Sequence, residues 1–99
     1  MTAFRVQLTR AAARDLDSVP GSSRGQIAED LRGLGETPVG GPPRIKRLRG
    51  LAFPLYRLRS GDYRVLYRID EALVTVLRIV DRRQLERAIR RLKLGGGAR

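Results

Sequence analysis

Tyr56-Arg57-Leu58-Arg59-Ser60-Gly61-Asp62-Tyr63-Arg64-Val65-Leu66-Tyr67-Arg68 is the stretch whose reading decides the fold. It predicts two β-strands joined by a short turn at Ser60-Gly61-Asp62, where glycine adopts a positive φ at little cost. On both sides of the turn apolar and cationic residues alternate, which gives one strand face to a core and the other to solvent or a ligand. Arg57 and Arg59 share a face of the first strand, and Arg64 and Arg68 share a face of the second. Tyr63 and Tyr67 fall on the other face with Val65 and Ile69. They are expected to pack under helices, and Tyr56 is expected in the core as well. Asp62 is expected to stabilise the turn through its own backbone.

The surrounding chain is strongly and unevenly basic. Its 99 residues suffice for one domain with a modest core, and an apolar content of 41% predicts folding rather than a disordered tail. Nineteen Arg and two Lys against ten acids give a formal net charge of +11. Residues 1–43 are neutral overall, so the whole excess lies in residues 44–99. A bias toward Arg in the coding sequence explains Arg over Lys, but not the placement of the excess in one half. Such polarity suits a polyanion: nucleic acid first, an acidic protein second, an anionic membrane surface third. The chain has neither Cys nor His. That excludes disulfides, thiolate zinc sites and the commonest general base. No signal-peptide core or membrane-length apolar run is present, so a cytoplasmic protein is expected.

Outward from the hairpin, Phe4, Val6 and Leu8 alternate as a half-buried strand. Thr9 is placed to cap a helix from about Arg10 to Val19, with the stripe Ala12, Leu16 and Val19. Pro20-Gly21 ends it. Ser23 and Gln26 have capping-box spacing for a second helix with the stripe Ile27, Leu31 and Leu34, ended by Gly35. The two helices, linked by three or four residues, read as an antiparallel hairpin. Val39-Gly40-Gly41-Pro42-Pro43 is a loop, and Ile45 to Leu48 a short strand closed by Gly50. After the opening hairpin, Asp70-Glu71 turn the chain into Leu73–Val80, the most apolar strand, expected in the sheet interior. Asp81 and Gln84 are spaced as a cap and its partner for a third helix, with the stripe Leu85, Ile89 and Leu92 and a basic remainder. The expected class is α+β, order β-α-α-β-β-β-α, an antiparallel sheet with the helical hairpin packed on it and a basic C-terminal helix. Residues 1–94 are expected to form this single domain, with 95–99 a flexible Gly-rich tail.

With Leu48-Arg49-Gly50 ahead of Tyr56-Arg57-Leu58-Arg59-Ser60-Gly61-Asp62-Tyr63-Arg64-Val65-Leu66-Tyr67, the chain resembles the RelE/ParE superfamily of bacterial toxins. Ala13-Arg14-Asp15-Leu16 and Ile79-Val80-Asp81-Arg82-Arg83 also fall where that family has related residues, so the resemblance spans Phe4 to about Leu92. It implies a type II toxin neutralised by a cognate antitoxin that wraps its surface. The RelE branch cleaves mRNA in the A site of the 70S ribosome, without a metal or small-molecule cofactor. The ParE branch inhibits DNA gyrase and lacks the nuclease residues. A non-toxic relic or RNA-binding relative is the third implied class.

On the RelE reading, cleavage requires deprotonation of a 2′-OH, stabilisation of charge on the phosphate, and protonation of the departing 5′ oxygen. Arginine suits the second role. Arg64 matches the family's strand arginine at the scissile phosphate; Arg83, or Arg82, matches the arginine after the last strand. Lys46, Arg47, Arg49, Arg57, Arg59 and Arg87 are the expected RNA-binding residues, and Arg57 aligns with a position often Lys in ribonuclease members. Two departures stand out. Where many nucleases carry a His before the paired arginines, this chain has Asp81. Where many carry a Tyr in the last helix, it has Glu86 or Ile89, and Glu86 reads as a surface ion pair. Arg68 and Arg78 read equally as solvated, antitoxin-facing or RNA-contacting.

Overall fold

A computed structural model describes residues 4–40 and 44–94. The predicted tail at 95–99, and Gly41-Pro42-Pro43 of the predicted loop, lie outside the described residues. The elements are β1 (Arg5–Leu8), α1 (Arg10–Ser18), α2 (Gly21–Leu34), β2 (Ile45–Leu48), β3 (Leu55–Ser60), β4 (Tyr63–Asp70), β5 (Leu73–Asp81), a 3₁₀ turn at Arg82–Gln84 and α3 (Leu85–Leu94). The α+β class is as expected. The order carries one strand more than β-α-α-β-β-β-α: Ile45–Leu48, expected as a short strand, forms a full ladder with β3 and stands beside the other four.

The five strands form one sheet in the order β1-β5-β4-β3-β2. Three pairings are antiparallel, but β1 runs parallel to β5, so the sheet is mixed and the expectation of an antiparallel one is corrected. The reason is the route of the chain. It leaves β1 through α1 and α2, re-enters at the far edge as β2, and three reversals bring β5 back alongside β1. A parallel pair requires such a crossover, and the α-hairpin supplies it.

Each face of the sheet carries its own apolar cluster. On one face Ala12, Ile27, Leu31 and Leu34 from the helices meet Leu58, Val65, Tyr67, Val74, Val76 and Ile79, with Tyr56 and Tyr63 packed at the margin. All three tyrosines therefore join the core as predicted. On the other face, Leu55, Leu66, Leu77 and Val80 meet Ala88, with Leu85, Ile89, Leu92 and Phe53 against them. A shift of register between Leu66 and Tyr67 lets β5 supply one extra residue there. Leu77 and Val80 thus both reach the α3 face, a local effect of a β-bulge.

Thr9 caps α1 as predicted: its Oγ1 accepts from the Ala12 N–H (3.1 Å) and donates to the Leu77 carbonyl (3.0 Å). It ties the first helix to the strand beside it. Thr9→Ala is expected to cost about 1–2 kcal/mol, read from the urea midpoint. A Thr9→Ser variant should recover most of the loss, and an unshifted midpoint in Thr9→Ala would remove the cap from the account.

The capping box at Ser23 and Gln26 is corrected. The link between helices is only Val19-Pro20, and Pro20 itself occupies the N-cap of α2 with no side-chain cap. Proline holds Val19 extended (ψ 139°), which ends α1, and its fixed φ sets the entry to α2. Ser23 consequently falls inside the first turn, and Gln26 donates instead to Asp30 one turn on (3.2 Å). The exposed carbonyls at the end of α1 are met by Arg24, whose Nη1 donates to Asp17 O and Val19 O (3.3 and 3.2 Å).

Candidate functional site

The β3–β4 hairpin turns at Gly61-Asp62, with Gly61 at φ +59° as the sequence predicts. The Asp62 carbonyl accepts from the Arg82 N–H (2.8 Å), so the tip of the hairpin is clamped to the 3₁₀ turn that follows β5. Arg59 and Arg64 are directly paired across the strands, and Lys46 is paired with Arg57 on the neighbouring ladder. Like charges facing each other across a ladder are destabilising, so the fold tolerates a local cost here.

Arg64 is the electrostatic centre of this group. Its guanidinium is held below its ordinary pKa by partial burial first, then by repulsion from Arg57, Arg59 and Arg82, with Asp62 the one acid opposing them. Among the described residues Arg64 makes no ion pair. Its Nη1 donates to two carbonyls of its own turn, Gly61 O (3.0 Å) and Tyr63 O (2.9 Å). A planar cation oriented by carbonyls, among other cations, is prepared for phosphate or carboxylate oxygens.

The paired arginines separate. Arg82 acts on Arg64, whereas Arg83 binds Asp81 through its Nε and Nη2 (3.1 and 3.4 Å). A 3₁₀ turn has three residues per turn, so neighbouring side chains diverge. Asp81 also caps this turn by accepting from the Arg83 N–H (2.9 Å), and these bonds hold its carboxyl below the usual range. The same contacts raise Arg83. Glu86 sits in the first turn of α3, where a carboxylate suits the helix dipole.

The remaining predicted RNA contacts fall into two other places. Arg47 is paired with Tyr56, which turns it to the α-hairpin side of β2 at the sheet edge, and with Arg49 it lines a cleft formed by the loop to Pro54. Arg87 lines a shallow cleft between α3 and β5 with Arg78, Gln84 and Arg91. Arg78 is pinned by a bidentate pair with Asp15 (2.6 and 3.1 Å), whose hydrogen bonds raise its pKa against the opposing effect of burial. Asp15 also accepts the Ile79 N–H (2.9 Å), closing the part of the β5 edge that β1 does not reach.

Sequence reasoning did not find two further constellations. The Ser60 hydroxyl is buried and donates to Asp30 (2.6 Å), which also pairs with Arg44, tying α2 to the hairpin. The Arg68 guanidinium lies over the Phe53 ring, 4.8 Å from its centroid, and pairs with Asp70 (3.0 and 3.3 Å). Neither leaves a periodic signal, since each joins residues from different elements. Among the described residues no three His, Cys, Asp or Glu side chains converge as metal ligands, and no helix is long and apolar enough to cross a membrane.

Residues 6–86 match the sequence profile of the family described as "ParE toxin of type II toxin-antitoxin system, parDE". No curated protein matches the chain. Among solved structures, a chain of the archaeal RelE–RelB complex from Pyrococcus horikoshii OT3 is 27% identical, with a TM-score of 0.70 over 81% of this chain and 96% of that one. A chain of the RelBE2 toxin–antitoxin complex from Mycobacterium tuberculosis is 30% identical, with a TM-score of 0.69 over 80% and 98%. The YoeB/ParE toxin from Agrobacterium tumefaciens, at 17% identity and a TM-score of 0.65 over 79% and 98%, shares the fold.

Proposed function

The chain belongs to the RelE/ParE superfamily of type II toxin–antitoxin toxins, and from that premise we propose that it cleaves mRNA on the ribosome in the RelE manner, with Arg64 holding the scissile phosphate. The observation that carries this reading is the state of Arg64: oriented by carbonyls, surrounded by Arg57, Arg59 and Arg82, and not engaged by a carboxylate among the described residues. In the reaction the 2′ oxygen bonds to phosphorus, the bond to the 5′ oxygen breaks, and the proton lost by the former ends on the latter. Negative charge grows on the phosphate oxygens in between, and the Arg64 fork, with Arg82 adding to the positive field around it, offers fixed positive charge to that state.

This chain supplies charge and orientation rather than a base. Asp81 is engaged in capping the 3₁₀ turn and in binding Arg83. Alignment of the 2′-OH and proton transfer therefore fall to the RNA, water and ribosome, which is why activity is expected only on programmed ribosomes. The same engagement of Asp81 is the specific observation favouring the second reading, a ParE-like inhibitor of gyrase without chemistry of its own. Purified toxin added to programmed 70S ribosomes, with the mRNA read by primer extension, separates the two. A-site cuts carry the first reading; intact mRNA together with blocked supercoiling by gyrase would replace it with the second.

The complexes found among its structural relatives support a cognate antitoxin as partner. Its segment over the Arg57–Arg64 face should be acidic and amphipathic, because the basic half has few counter-charges of its own. Affinity measured by calorimetry should fall markedly as salt rises from about 0.05 to 0.5 M, since the Debye length shrinks to a few ångströms. A salt-insensitive affinity would move the docking site off this face.

A further inference from the structure

The loop from Arg49 to Pro54 is separate from the Arg64 cluster and combines features of its own. Gly50 turns it out of β2 at φ +85°, in a position where a side chain would meet open space. The glycine therefore serves the turn and not a tight fit. Arg47 and Arg49 line the resulting cleft beside Leu51 and Phe53, and among the described residues its lining contains no carboxylate. At its inner wall Phe53 packs on the apolar cluster beneath α3 and carries the Arg68 guanidinium on its ring. Asp70 fixes that guanidinium through two hydrogen bonds, and 30% of the Arg68 side chain remains open to solvent.

A guanidinium held in one plane by a ring on one side and a carboxylate at its edge is a ready surface for a flat partner. Single-stranded RNA is recognised by stacking bases on aromatic rings or arginine planes, with cations following the backbone. We propose that the Arg68–Phe53 pair is a stacking platform for one unpaired base of single-stranded RNA, with Arg49 in the adjoining loop engaging a neighbouring phosphate. The proposal rests on RNA as the toxin's ligand but not on its being cut. It gives the cleft a role in gripping the message away from the phosphate at Arg64.

The test uses the full chain and short single-stranded RNAs in which one abasic residue is moved along the sequence, with affinity read by fluorescence anisotropy. For the wild type, one abasic position should weaken binding roughly five- to a hundred-fold, the range for one stacked base. In Arg68→Lys, which keeps the charge and loses the plane, that penalty should vanish while the salt dependence stays. Phe53→Leu should shrink the penalty by freeing the guanidinium. Absence of an abasic penalty in the wild type, an undiminished penalty in Arg68→Lys, or no RNA binding would each overturn the platform. An Arg68-dependent penalty in a protein that fails to cut mRNA on ribosomes would retain the platform and reject the nuclease reading.

Discussion

Replacing Arg64 with alanine is expected to lower mRNA cleavage on programmed ribosomes by about 10²–10³-fold, the usual loss for one preorganised group at a developing charge. The melting temperature should be unchanged or slightly raised. The two halves have one cause. Arg64 faces Arg59 across the ladder and feels Arg57 and Arg82 as well, so its removal relieves repulsion in the free protein. The bonds it loses are two hydrogen bonds to the Gly61 and Tyr63 carbonyls next to it, one exposed and one partly buried. Arg64→Lys should recover part of the rate, because it restores charge without the fork. Arg83→Ala should be milder than Arg82→Ala, since Arg83 is turned to Asp81. If Arg83→Ala alone abolished cutting, the placement of Arg82 at the phosphate would be wrong.

The largest effect on stability is expected at Tyr67. Its side chain is fully buried, stacks on Tyr56 with centroids 5.5 Å apart, and donates from its hydroxyl to the Pro38 carbonyl at 2.6 Å. Tyr67→Ala removes a large core side chain and should cost about 3–5 kcal/mol by urea denaturation. Tyr67→Phe keeps the ring but leaves Pro38 O without its donor, at about 1–2 kcal/mol. Burial, and then the neighbouring Tyr56, push the Tyr67 phenol well above its ordinary pKa. The folded state therefore binds this proton more tightly than the unfolded chain does. Its contribution is intact below pH 10, the ordinary phenol value, and declines as pH climbs beyond it. Stability of the wild type should fall more steeply above pH 10 than that of Tyr67→Phe; parallel slopes would show that Tyr67 ionises as freely in the fold as outside it.

Much of this was legible because it is local. The β3–β4 hairpin follows from alternation around Gly61, the α1 cap from Thr9, and the buried stripes of α1 and α2 from their spacing. The family followed from one continuous segment. What escaped depends on contacts between distant segments. Nothing in Arg5–Leu8 states that its neighbour will be β5, or that the pair will be parallel. Ser23 has cap chemistry, but Pro20 sets the helix start by backbone geometry and leaves Ser23 no role there. At the site, Arg82 and Arg83 are interchangeable in sequence. Only the folded 3₁₀ turn tells them apart: Arg83 is bound to Asp81, while Arg82 adds to the positive field at Arg64. The grouping of Arg68 with Phe53 and Asp70 needs a loop folded back on a strand, which has no period to detect.

The pairing of β1 with β5 also bears on when the molecule becomes dangerous. Thr9 and its partner Leu77 stand 68 residues apart, so the sheet stays open along β1 until β5 exists. Contacts of such separation are costly to close and form late. The same late strand delivers Arg82 to the hairpin tip. A nascent chain halted before Leu73 already carries Arg57, Arg59 and Arg64, yet lacks both the strand that completes the core and the residue that completes the charge. Synthesis thus doubles as a safety interval: the basic cluster is complete only once translation has passed the arginine pair, and an antitoxin present at that moment meets a surface that has only just come into being.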